Sequence, residues 1–190
     1  MPPSARLTKW LDRGWLLICL LASSAWCITA ADRLSATWDE PAYLAHGLER
    51  WRSGSIRVLV SLGTMPLPTD AATLPLYLME RWQGATLDPV ADLDRLLPWA
   101  RASTLLFWWL LAIYGWLAGR ELAGTWGGRF AVAMLACEPT LLAHAALATT
   151  DMALCACLLV LAYHFRRGRE AGWFRRVGLP AFWLAASILA

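Results

Sequence analysis

Lysine is nearly missing from this chain: of 17 basic residues only Lys9 is a lysine, and arginine carries the remaining positive charge. The arginines are scattered, and no polybasic arm marks a nucleic-acid surface, so no nucleic-acid partner is expected. Metal-type cysteine spacing is missing too. Cys19, Cys27, Cys137, Cys155 and Cys157 form no Cys-x-x-Cys pair and all lie in apolar runs. A buried free cysteine behaves as a small hydrophobe, so neither a disulfide nor a zinc–thiolate site is expected. Net charge is only +3 and defines no partner by itself. What is abundant is apolar: 58% of the residues, 13 tryptophans and a mean hydropathy of +0.45. Those values suit an all-α, multi-pass transmembrane helical bundle better than a soluble domain.

Residues 1–14 form a short lead with Arg6, Lys9 and Arg13, which the positive-inside rule places in the cytoplasm. The first apolar run, Trp15–Ala31, has 17 residues without a charge, roughly 25 Å of helix at about 1.5 Å per residue. It resembles a signal peptide in outline, but its length and the spans that follow favour an uncleaved first helix. Residues 32–101 then carry seven arginines against nine acids. Within them 41–53 and 70–83 read as amphipathic helices closed by Gly54 and Gly84, with Trp and Leu on one face. Such helices lie along a membrane surface, which makes 32–101 a large outer loop of interfacial helices. Between them, residues 63–68 read as a turn or extended loop.

Further spans are expected at about 102–118, 130–148, 152–165 and, begun but not closed, 177–190. A chain that stops inside an apolar run reads as the N-terminal part of a longer protein. The 119–129 turn carries Arg120 and Arg129, and five arginines follow between Arg166 and Arg176. Both loops are therefore expected inside, which requires an even number of crossings between them and puts residues 149–151 outside. The expected location is the cell membrane, with a cytoplasmic N-terminus and loop 32–101 on the outer face. On this topology Asp39, Glu40 and Asp151 reach the same face.

Each polar residue has an ordinary reading beside the chemical one. Asp39 or Glu40 before Pro41 can cap a helix, as Thr149 or Thr150 can cap the helix carrying Asp151. Arg101 is an interface anchor or a phosphate contact. His144 is a neutral, backbone-bonded imidazole or a ligand contact, being ionisable within an apolar stretch. Glu138-Pro139 breaks or kinks the third span, with Glu138 filling the gap or pairing with arginine.

Three patterns together carry a resemblance: Asp39-Glu40-Pro41-x-Tyr43-Leu44-x-x-Gly47, then Met65-Pro66-Leu67, then Glu138-Pro139-Thr140-Leu141-Leu142-Ala143-His144 leading to Thr149-Thr150-Asp151. In this order the chain resembles the N-terminal part of the polyprenyl-phosphate-dependent glycosyltransferases of the C-type membrane fold. That group includes the protein O-mannosyltransferases and the transferases that add aminoarabinose to lipid A. One departure is visible: related bacterial sequences often have a His-Pro-Pro-Leu type motif where this chain reads Thr64-Met65-Pro66-Leu67-Pro68.

The resemblance implies an inverting transfer of a sugar from a polyprenyl-phosphate donor to the hydroxyl of a protein, lipid or glycan acceptor at the outer boundary. It implies Asp39 as the base, Glu40 as its neighbour in acceptor or metal binding, and Asp151 as a second site carboxylate. His144, Arg101 and Tyr43 are the candidate substrate contacts. A base is needed because the attacking hydroxyl must lose its proton, and positive charge is needed on the departing phosphate. Asp39, Glu40 and Asp151 near one point are also able to hold a divalent cation, which the sequence leaves open. The rival readings are a transporter or lipid flippase using Glu138 and His144 as ion-coupling groups near the midplane, and a non-catalytic membrane subunit or truncated fragment.

Overall fold

The computed structural model describes residues 3–190, with side chains from Leu7 onward; Met1 and Pro2, and the side chain of Arg6 in the basic lead, lie outside the described residues. Every regular element described is helical. Helix α1 (Pro3–Ala31) takes in most of the expected lead as well as the first apolar run. After a loop come α2 (Glu40–Ser53), the short α3 (Arg57–Ser61) and α4 (Pro66–Gln83). Next are α5 (Leu93–Cys137), α6 (Pro139–Ala145) and α7 (Asp151–Arg167). A π-helical turn (Phe174–Gly178) then leads into α8 (Leu179–Ile188). Two of these helices, α1 and α5, are long and apolar enough to cross a membrane.

The two amphipathic helices form close to where the pattern placed them. Gly54 and Gly84 close α2 and α4 at φ 75° and 66°, the left-handed conformation that glycine adopts without a Cβ penalty. The expected loop at 63–68 is corrected: α4 already starts at Pro66, because proline at the first helical position removes only an N–H with no partner. The short α3 had no periodic signal. Gly47 explains its own place in the first motif: a Cβ there would sit 2.7 Å from the Thr73 side chain, so α2 and α4 cross closely only with glycine.

Helix α5 is a hairpin. Ala123 and Gly124 leave helical geometry, Gly124 at φ 66° and ψ −159°. The legs 93–122 and 125–137 fold back so tightly that a Cβ on Gly119 would lie 2.6 Å from the Gly127 carbonyl. The glycine-rich turn expected at 119–129 is thus present, and the helix before it begins nine residues ahead of the expected 102. The expected span 130–148 is not one helix. Glu138 leaves helical geometry at ψ 113° and Pro139 starts α6, as a proline that cannot donate to the preceding turn requires. The last expected span, begun at 177, is occupied by the end of the π-helical turn and by α8.

Packing separates two apolar cores. One lies among α1, α5, α6 and α7 around Trp108, whose Nε1 donates to Ser23 Oγ at 2.9 Å. The other holds α2, α4 and the start of α5 around Leu44, Leu48, Leu76 and Leu96. The helices also have two distinct ends. At one end Asp12 accepts from Arg120 and Arg129, Trp15 Nε1 donates to the Arg129 carbonyl, and Arg167 pairs with Glu121. At the other, Ala31, Arg101 and Ala148 meet around Glu40. Asp12 is buried against the hairpin, an acid among the basic residues of the lead that the sequence pattern did not single out.

Candidate functional site

Glu40 stands at the junction of the two cores, fully buried, and both of its oxygens are engaged. Arg101 donates from Nε to Oε1 at 2.8 Å and from Nη2 to Oε2 at 2.7 Å. The Thr37 N–H donates to Oε2 at 2.8 Å and the Ala148 N–H to Oε1 at 2.8 Å. Burial pushes the Glu40 carboxyl up, but the Arg101 hydrogen bonds and the two backbone donors outweigh it, so its pKa lies below the ordinary value. Arg101 is equally saturated, its Nη1 and Nη2 also donating to the carbonyls of Ala31, Leu34 and Ser35 at 2.7–2.9 Å.

Both residues expected at the site are engaged inside the protein. The Arg101 guanidinium is 1% exposed, and the N–H groups it uses point into the protein. Glu40 is fully buried, with both oxygens taken by hydrogen bonds. Together they position other groups. The pair ties the end of α1, the 32–39 loop, α2, α5 and the 146–150 turn into one unit. Asp39 precedes Glu40, and Asp151 follows Ala148 by three residues, so one ion pair holds the backbone beneath both remaining carboxylates.

Those carboxylates are unengaged by the roles that caps would give them. Asp39 occupies the N-cap position of α2, yet its side chain makes no capping hydrogen bond and is exposed. Thr150 occupies the N-cap position of α7 with no side-chain cap bond either. Asp151 is 61% exposed, and one of its oxygens lies 3.1 Å from His144 Nδ1, off the line of a hydrogen bond. Tyr43, one turn into α2, joins the halves. Burial raises its phenol pKa, as do the charges of Asp39 and Asp151, while the neighbouring hydroxyls of Thr64 and Thr150 pull the other way. Asp39, Tyr43, Thr64, Thr150, Asp151 and His144 therefore share one neighbourhood.

Several polar atoms there have unmet hydrogen bonds: the hydroxyls of Thr64 and Thr149 and Nδ1 of His144. A buried polar atom without a partner costs about 1–3 kcal/mol. Thr64, in the Thr64-Met65-Pro66-Leu67-Pro68 stretch, lies beside Tyr43. Glu138, by contrast, is engaged, its Oε2 accepting from the Leu141 N–H at 2.6 Å as the cap of α6.

Among the described residues no three His, Cys, Asp or Glu side chains come together to hold a divalent ion. Of the proposed ligand set Asp39, Glu40 and Asp151, the central carboxylate is already neutralised by Arg101. Comparison with protein-family models, with curated proteins and with solved structures returned no match.

Proposed function

We propose that this chain is membrane-embedded and transfers a sugar from a polyprenyl-phosphate donor to an acceptor hydroxyl at one membrane face. The observation that carries the reading is the contrast between two adjacent acids. Glu40 is buried and saturated by Arg101, whereas Asp39 is exposed, occupies a cap position without capping, and shares its surroundings with Asp151, Tyr43 and His144. The membrane half of the reading rests on the apolar windows of α1 and α5, only 28% and 33% of which are buried inside the bundle. The core helices of a water-soluble protein are mostly buried, and Trp10, Ile18, Leu21, Trp26, Leu122 and Phe130 would otherwise face water.

In the reaction Asp39 accepts the proton of the acceptor hydroxyl as its oxygen bonds to the anomeric carbon. The bond from that carbon to the phosphate oxygen breaks and its electron pair leaves with the polyprenyl phosphate. Asp151 and His144 face the same space, the imidazole when protonated supplying positive charge for the leaving phosphate. Tyr43, Thr64 and Thr149 offer hydroxyls to the sugar. Glu40 and Arg101 act through the backbone they fix.

The substitution Asp39→Asn tests this. The Asp39 side chain is exposed and makes no capping bond, and Asn is equally at home at an N-cap position, so folding is retained. An amide accepts no proton at neutral pH, and losing a general base costs about 10²–10⁴ in rate. Release of polyprenyl phosphate from a lipid-linked sugar, followed with detergent-solubilised protein, should fall by that factor. Turnover near that of the unaltered chain would return Asp39 to a surface acid and remove the reading.

A further inference from the structure

At the end of the bundle away from Asp39 lies a cavity of about 400 Å³, with Leu117, Ala171 and Leu179 in its wall beside Tyr114, Tyr163, His164, Arg167 and Arg175. We propose that it binds the phosphate of an anionic phospholipid headgroup. The inference needs only the membrane reading above and is independent of glycosyl transfer.

Charge is the first argument. Residues 166–176 contain five arginines and one acid, Glu170. Within that stretch only Arg167 has an ion-pair partner, Glu121 at 2.7 Å. The side chains of Arg166, Arg169, Arg175 and Arg176 make no ion pair or side-chain hydrogen bond among the described residues. Unpaired arginines beside an apolar helix attract anionic lipid near a charged membrane surface.

Shape is the second. Arg167 Nη1 is held by the Tyr163 hydroxyl and Glu121, both at 2.7 Å, so the cavity wall is ordered rather than a loose basic tail. Gly168 lets the backbone of the loop close on itself, since a Cβ there would meet the Arg175 carbonyl at 2.1 Å. That contact returns Arg175 to the cavity, and the π-helical turn that carries it is the kind of widened turn often found at binding sites. Tyr114 and His164 close the far wall, hydrogen-bonded at 2.9 Å.

The surroundings are the third. Trp173 and Phe174 are exposed next to the cavity, and Phe182 is exposed on α8. Aromatic rings at the end of an apolar helix sit at headgroup level. A phosphate against Arg167 and Arg175 would therefore have its acyl chains along an apolar surface.

The test uses the full chain in a neutral detergent and follows thermal unfolding as lipid is added in mixed micelles. Phosphatidylglycerol should raise the midpoint in a concentration-dependent manner, while phosphatidylcholine and inorganic phosphate should not. Arg175→Glu, at a side chain with no partner to lose, should leave the midpoint in phosphatidylcholine unchanged and weaken the apparent affinity for phosphatidylglycerol about ten-fold or more. Arg33→Glu, at the opposite end, should keep the original response. Equal stabilisation by both lipids would overturn the proposal. So would an unaltered phosphatidylglycerol response in Arg175→Glu, or an equal loss in Arg33→Glu. Inorganic phosphate reproducing the shift would assign the cavity to a free anion instead of a lipid. If Arg175→Glu does not yield folded protein, Arg175→Gln gives the same comparison. None of these outcomes depends on Asp39.

Discussion

Arg101 and Glu40 form a two-pronged ion pair, 2.7 and 2.8 Å across, with both side chains removed from solvent. Removing one member leaves the other charge buried without its partner, which costs about 3–5 kcal/mol. Arg101→Met should therefore lower the thermal midpoint in detergent sharply, and Glu40→Gln should also lower it. If either variant melts like the unaltered protein, the pair does not hold the site together.

The same pair predicts how stability depends on pH. The folded pKa of Glu40 lies below the ordinary value of 4.5. Its contribution is complete above that value and is lost as pH falls through the folded pKa. Thermal midpoints measured from pH 7 down to about pH 3 should decline below 4.5, and the decline should be shallower in Glu40→Gln. Identical pH profiles for the two proteins would contradict the assignment.

Asp151 and His144 give a graded pair of outcomes. Asp151→Asn removes a charge that the Tyr43 phenol senses, so it should slow transfer with little change in the thermal midpoint. His144→Gln should be milder, because it removes one donor beside Asp151 and leaves both carboxylates. Activity assays alongside melting curves separate these effects from misfolding. Loss of folding in Asp151→Asn would make it a structural residue.

The hairpin in α5 should depend on glycine. Gly124 holds φ 66° and ψ −159°, a region essentially restricted to glycine, and strain there costs of order 1–3 kcal/mol. Gly124→Ala should destabilise the protein by about that amount, and Gly119→Leu should do so by forcing the two legs apart. A midpoint unchanged in both variants would show that the legs separate freely.

Membrane orientation is tested by single cysteines in a cysteine-free background. An impermeant reagent applied to intact cells should label cysteine placed at Thr150 and at Ser53. Protection of position 150 with labelling at 53 would place Asp39 and Asp151 on different faces, against their shared neighbourhood around Tyr43.

Local signals carried the sequence a long way. Helices α2 and α4 follow from periodic Trp and Leu positions closed by glycine, because a left-handed residue needs no tertiary help to end a helix. The break at Glu138 follows from Pro139, and the hairpin turn from its glycines. Boundaries drifted where proline at a first helical position looks like a loop residue, as at Pro66. Counting charged loops gave the expectation that Asp39 and Asp151 share one membrane face, and the structure places both near Tyr43.

What sequence could not decide is which of two adjacent acids is free. Asp39 and Glu40 differ by one position, and either is able to cap a helix. Only the fold turns Glu40 inward onto Arg101, 61 residues away, and onto the Ala148 N–H, 108 residues away. A buried carboxylate needs partners from distant segments to offset its desolvation, and no local pattern records where those partners will be. The same limit hid Asp12, whose partners Arg120 and Arg129 are brought to it by the folded hairpin. Sequence set the helices and their order; tertiary packing decided which charges are buried in ion pairs that hold the structure and which are left exposed.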